Sequence, residues 1–408
     1  MLFCMKCFSA QSKMKSSKIV KVVAFSGQIF WFTLMFTAFK FLSQTCVDAL
    51  PGMGSSKKCP PGMVDFSRPV LSAFMMISSM SLALIYYFGY LKSQPGVHPV
   101  TKKQLIYTIL PSFLDLICAS TLMAGTMKIP MSLVLTLKGV RVLFSAILVI
   151  FVFNRKQRMY NWAGVAIALT GVGLAVLSAI LNDGPSSNMT NTIVGIGLIM
   201  ASEFFRSLMV VSQEYLIKVI GCDSSFMVGL QGIYGGVLMV GFLLVAWLLI
   251  PGSDLGGSME NLYATFRLAS QSPAIITVLC ILPIFVVLGF ISSGLVTKTM
   301  GAVMNAMCTL LMTAAVWLIE IMIHAIDPSR GNKWAPYSYL QLIGFLLVVV
   351  ALLVYDGTYL RLPGFEYATE SKLEIEADTE IKNLQSEGDI GSVEEDETMT
   401  CEEPVIKA

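Results

Sequence analysis

Lys138 and Arg141 stand three residues apart in the stretch LVLTLKGVRVLF (133–144), two full positive charges inside an otherwise apolar run. Residues three apart share a helix face, so the two cations point the same way, and their own run holds no acid to offset them. Glu203 and Arg206 repeat that spacing in ASEFFRSL (201–208). Arginine suits planar, bidentate recognition of carboxylate or phosphate, and lysine adds a point charge. The chemistry favoured for Lys138 and Arg141 is therefore anion binding in a water-filled cavity. Pairing with Glu203 or Asp115 from neighbouring runs is the structural alternative, and for Glu203 and Arg206 the plain expectation is an ion pair along one helix. Gln28, Gln213, Glu214, Gln231 and Asn305 are also deep enough to hydrogen-bond a substrate or to link helices. Lys21, Lys40, Lys298 and His324 sit at the ends of apolar runs, where long polar side chains snorkel to the interface.

Other chemistries find little support. There is no P-loop to suggest an ATP-driven pump, and the two histidines, His98 and His324, leave little for a metal or hydrolase site. No nucleophile–base–acid set stands out, so nothing positive points to an enzyme, a cofactor or a bound metal. CMKC (Cys4 to Cys7) is a lone CxxC; S-acylation beside the first apolar run is its functional reading, and absence of function its plain one.

The elements that must position these residues follow from composition. Of 408 residues, 55% are hydrophobic and 13% charged, about half the charged share of a soluble domain, and the mean hydropathy is +0.73. Runs of about 20 apolar residues, long enough to cross a bilayer as helix, recur throughout. Ten are predicted: 19–42, 69–91, 105–125, 130–153, 161–181, 193–216, 226–250, 274–296, 301–325 and 337–357. A bilayer leaves each backbone group to be satisfied within its own segment, and the alternating ten-residue segments of a barrel are missing. The predicted fold is an all-α membrane protein.

Charge divides the chain. Residues 365–403 hold fourteen acidic residues and two lysines, without apolar periodicity, and read as a disordered acidic tail within a cytosolic segment 358–408. The N-terminal arm 1–18 carries Lys6, Lys13, Lys15 and Lys18. Alternate loops add Lys92, Lys102, Lys103, Arg155, Lys156 and Arg158, while the opposite loops are poorer in cations. The basic-inside bias puts both termini in the cytosol. NMT (188–190) is a glycosylation sequon at Asn188, in the loop 182–192 assigned to the lumenal side. Cys46 and Cys59 share the first lumenal loop, where a disulfide would close a short ring worth up to about 3 kcal/mol. Cys118, Cys280 and Cys308 lie inside spans, as small packing residues.

The chain also repeats itself. LMAGTMKIPMSLVLTL (122–137) aligns without a gap to LVTKTMGAVMNAMCTL (295–310), and Leu122, Thr126, Met127, Met131, Thr136 and Leu137 are identical to their partners. Each segment crosses a tight loop, between the third and fourth spans in one half and the eighth and ninth in the other. Two halves of five spans, 19–181 and 193–357, must insert with opposite orientation. Inverted halves are the architecture of many secondary transporters, with the substrate site near the midplane between them.

Several stretches then carry a family resemblance: LPSFLD (110–115), LKG (137–139), QEYLIK (213–218), VGLQGIYG (228–235), GLVTK (294–298) and LQLIGFLLVVVALLVYDG (340–357). With ten spans in two halves, they resemble the drug/metabolite transporter superfamily, and within it the F-type branch of solute carrier family 35, relatives of the nucleotide-sugar transporters. The resemblance implies a solute carrier of an internal membrane, lysosomal or Golgi, working by alternating access. In that branch the position of Lys138 is typically arginine before glycine, so a cation is kept there; Arg141, Glu203 and Arg206 have no matched counterpart. The nucleotide-sugar run Gly-Ala-Leu-Asn-Lys is only echoed by GAVMN (301–305), without its lysine. The expected activity is secondary transport of a small organic, anionic solute, with nucleotide-sugar-like compounds inside that class. A carrier of cationic or amino-acid-like solutes, using Glu203 or Glu214, and a non-transporting membrane scaffold are the rivals. The implied partners are a small-molecule substrate and membrane lipids, with no nucleic acid; a homodimer stays open.

Overall fold

The computed structural model describes residues 18–51, 53, 59–93, 100–126, 128–129, 133–134, 137–154, 157–183, 189–252, 254–327, 331, 333–357 and 379. Cys4, Cys7, Asn188 and the tail 358–408 apart from Thr379 lie outside them. The chain is an all-α, multi-pass membrane protein, and nine helices among the described residues are long and apolar enough to cross a bilayer.

The first span is Lys18–Gln44. The second runs from Pro69 to Ser79, tightens to a 3-10 turn at Met80–Leu82, and continues from Ala83 to Gly89. The third joins Lys102–Tyr107 to Ile109–Thr126. The fourth, falling short of the nine on its described length, is a 3-10 turn at Lys138–Val140 followed by α-helix over Arg141–Phe153. The fifth to tenth are Met159–Asp183, Met189–Lys218, Ser224–Leu248, Pro273–Met300, Ala302–Ile326 and Ser338–Asp356. The first, third, fifth, sixth and eighth helices extend past their predicted runs by a few residues, because helices continue into the interfacial zone where hydropathy has already fallen. The seventh and ninth are shifted by one or two residues, and the second and tenth end slightly inside their runs.

One element departs from the all-helical expectation. In the loop after the first span, β1 (Cys46–Asp48) pairs antiparallel with β2 (Met63–Asp65), Val47 opposite Val64. Cys46 and Cys59 are joined across this hairpin, with Cα atoms 5.8 Å apart. An extramembrane loop has the water and the turn residues that a hairpin needs. The amphipathic helix Leu262–Gln271, between the seventh and eighth spans, packs against β1.

Packing follows a regular scheme. The fifth span lies on the tenth, the second on the seventh and the fourth on the ninth. The third and fourth lie on the sixth, and the eighth and ninth on the first; the third also meets the seventh, and the second the eighth. Glycines allow the closest approaches. A Cβ at Gly232 of the seventh span would stand 2.1 Å from the Ser81 nitrogen of the second, within its 3-10 turn. Gly171 meets the Gly344 carbonyl in the same way, whereas Gly173 faces open space. The eighth and ninth spans are separated by Gly301 alone, at φ 91°, a conformation that strains any residue with a Cβ.

The buried apolar residues form two large clusters. One draws on the first, second, seventh and eighth spans, around Phe32, Met35, Met227 and Phe290. The other draws on the third to sixth, ninth and tenth, around Val142, Met209, Met307 and Val348. Large apolar side chains such as Ile85, Phe151 and Val237 stay exposed, as expected of surfaces that face lipid. Cys118 and Cys308 are buried, but Cys280 is exposed rather than packed, since it falls on the outer face of the eighth span.

Candidate functional site

The 3-10 turn in the fourth span aims Lys138 at the first. Its Nζ sits 4.9 Å from the centroid of the Phe36 ring, and Lys138 is 7% exposed. Phe36 packs against the first apolar cluster, so this cation–π contact lies where the two clusters meet. Gly139 lets the turn seat itself: a Cβ there would meet Val172 at 2.2 Å and Leu310 at 3.0 Å.

Arg141, the first residue of the α-helical part, faces elsewhere. Its Nε donates to Glu203 Oε2 on the sixth span at 3.2 Å, and its Nη1 donates to Thr309 Oγ1 on the ninth at 3.0 Å. Ser207 Oγ donates to the Arg141 carbonyl, which fastens the sixth span to the same turn. The expected ion pair along the sixth span gives way to pairs between spans: Arg206 reaches Asp115 of the third at 3.0 Å. The third and fourth spans flank the helix face shared by Glu203 and Arg206, so each side chain finds its opposite charge across a helix contact.

Two hydrogen-bond chains extend from these pairs. From Asp115, Oδ2 accepts from Gln231 Nε2 at 3.4 Å, and Gln231 Oε1 accepts from Gln213 Nε2 at 2.6 Å. From Thr309, the hydroxyl donates to the Asn305 carbonyl. Asn305 Nδ2 donates to Ser293 O, Ser293 Oγ and Thr297 Oγ1 of the eighth span. Asn305 Oδ1 accepts from Gln28 Nε2 of the first span at 3.3 Å. Gln213 and Gln231 thus tie the sixth, seventh and third spans, while Gln28 and Asn305 lie on the chain that leads to Arg141.

Glu214 lies apart from this cluster and does a different job. Its Oε2 accepts from the Ala302 N–H at 2.7 Å and its Oε1 from Lys218 Nζ at 2.6 Å. A carboxylate at a helix N-terminus satisfies an orphan donor and the helix dipole, so Glu214 caps the ninth span where Gly301 leaves room for it. Lys40, expected to snorkel, pairs with the buried Glu320 of the ninth span at 2.5 Å.

A further charged set lies outside the bilayer. Arg68 pairs with Asp254, and Glu260 accepts from the Val70 and Leu71 N–H groups at 2.8 and 3.0 Å. The loop after the seventh span therefore caps the start of the second. Burial pushes the Glu260 carboxyl above its ordinary value, against the two backbone donors and Arg68, which pull it down.

Phe36, Thr309, Ser293 and Thr297 join the site without having stood out in the sequence. Thr309 carried a signal, since it is the repeat partner of Thr136. Phe36 carried none: an aromatic residue in an apolar span looks like any other.

No family model matches the chain. It is 22% identical over 331 residues to solute carrier family 35 member F6 of Homo sapiens, covering 77% of this chain and 83% of that protein. An uncharacterized protein of Schizosaccharomyces pombe is 22% identical over 259 residues, 62% of this chain and 75% of that one. A crystal structure at 12% identity superposes with a TM-score of 0.56, over 86% of this chain and all but 1% of that one, and shares the fold. From the aligned sequences, the chain is a distant homologue of solute carrier family 35 member F6, a member of the drug/metabolite transporter superfamily.

Proposed function

We propose that the chain is a secondary transporter of a small organic anion, working by alternating access in an intracellular membrane with both termini in the cytosol. One observation carries the reading. In the central cluster Arg141, three residues along from Lys138, pairs with Glu203, and Arg206 pairs with Asp115. Two cations are paired, and among the described residues Lys138 rests on an aromatic ring without a carboxylate partner. A charge at the bilayer centre costs about 2.5–3.5 kcal/mol on insertion scales, and a bound anion would offset that cost.

The packing scheme supports a carrier. Exchanging each span for its counterpart five places along keeps most of the main pairs: third on sixth becomes eighth on first, and fourth on ninth maps onto itself. The contacts of the eighth span with the sixth and seventh are not matched to the same extent. With the 122–137 and 295–310 identity, this favours two inverted five-helix repeats with the site between them. The rival cation carrier would rely on Glu203 or Glu214, but Glu203 faces Arg141 and Glu214 caps the ninth span.

Purified protein in liposomes, screened for counterflow of nucleotide sugars, nucleotides and smaller organic anions, tests the proposal. Uptake of at least one anion is expected. A folded protein that exchanges no anion contradicts it and favours a scaffold.

A further inference from the structure

The cluster specifies more than the sign of its ligand, and this finer specificity rests on the anion-carrier reading. Among the described residues, two polar features of the site bear on the ligand. The first is Lys138, the surplus positive charge of a set with three cations and two carboxylates. A single negative charge brings that set to neutrality; a dianion would overshoot and leave a net negative charge in a medium that disfavours it.

The second is Gln28 Oε1, buried, with Gln28 1% exposed and that oxygen accepting no hydrogen bond. Its identity as an oxygen comes from its neighbours. The Ser293 carbonyl can only accept, so the Asn305 atom facing it is Nδ2, and Oδ1 is left to face Gln28. Gln28 must then present Nε2 to Asn305, which leaves Oε1 as an acceptor without a donor. A buried acceptor without a donor destabilises the site, so the site gains from a ligand that donates there.

Both open features touch the first span, Gln28 as one of its residues and Lys138 through the Phe36 ring. Gln28 and Phe36 are eight residues apart, about 12 Å along the axis and about 80° apart around it. Lys138 on Phe36 marks one end. Gln28 marks the other, and Asn305 and Thr309 of the ninth span link it to Arg141, three residues from Lys138. We infer that the site takes a monoanion bearing a hydroxyl or N–H donor away from its charged group, the anion meeting Lys138 and the donor meeting Gln28 Oε1.

Equilibrium binding to the purified full-length chain, with three six-carbon probes, tests this: gluconate (a monoanion with hydroxyls), hexanoate (a monoanion without donors) and glucarate (a dianion). Gluconate is expected to bind tightest. Lys138→Gln should weaken it at least about tenfold, and Gln28→Leu about threefold to tenfold, the worth of one neutral hydrogen bond, with hexanoate binding unchanged. Tighter binding of glucarate, equal binding of hexanoate and gluconate, or no binding of gluconate overturns the inference. If Gln28→Leu fails to fold, the ranking of gluconate over hexanoate decides. Lys138-dependent binding of glucarate alone leaves the anion carrier standing and removes only the monoanion claim; no Lys138-dependent binding of any anion removes both.

Discussion

Arg141 and Glu203 join the fourth span to the sixth across 3.2 Å, with side chains 10% and 3% exposed. The pair makes one of two neighbouring cations a fixed part of the frame. Lys138, one helical turn away, is the one that rests on the Phe36 ring, and on the proposed reading it is the charge left for a solute.

That pair should show strong coupling. Removing one partner strands the other as a buried charge, at a cost of about 3–5 kcal/mol. Arg141→Met and Glu203→Gln should each lower the unfolding temperature in detergent sharply, and the double variant should recover part of the loss, with a coupling of about 0.5–3 kcal/mol. Strictly additive losses would mean that the two charges do not depend on each other.

Two glycines should respond in opposite directions. Gly232→Ala places a methyl 2.1 Å from the Ser81 backbone nitrogen, so the second and seventh spans must part, at about 1–3 kcal/mol. Gly173→Ala meets nothing within 4 Å and should be neutral or gain up to about 1 kcal/mol of helix preference. Thermal unfolding of the two variants checks the contrast, and equal behaviour would contradict the packing.

Glu260 should make the protein firmer in mild acid. Burial raises its carboxyl above the ordinary value, so its charged form weighs against the folded state at neutral pH. That penalty is lost as pH falls through the raised value towards the unfolded one. Wild type should therefore gain stability relative to Glu260→Gln between neutral pH and about pH 4.5, near the ordinary glutamate value. A difference that stays flat or moves the other way rules this out.

The spans were legible because twenty apolar residues in a row have one solution in a bilayer. The ion pairs were half legible. Asp115 and Glu203 stood among the available partners, but spacing along a helix cannot say whether a side chain turns to its own helix or to the next. Arg206 and Asp115 were decided by which helices touch. Phe36 beneath Lys138 was hidden for a related reason, since only the tertiary fold brings the first span against the fourth. The hairpin Cys46–Asp65 was missed because a short strand outside the membrane leaves too few alternating residues to notice.

The claim that Lys138 answers the solute's charge is tested most directly by anion counterflow in liposomes carrying wild type, Lys138→Arg or Lys138→Gln at matched folded amounts. Uptake should persist in wild type, survive at a reduced rate in Lys138→Arg, and vanish in Lys138→Gln. Uptake by Lys138→Gln equal to wild type would contradict the account.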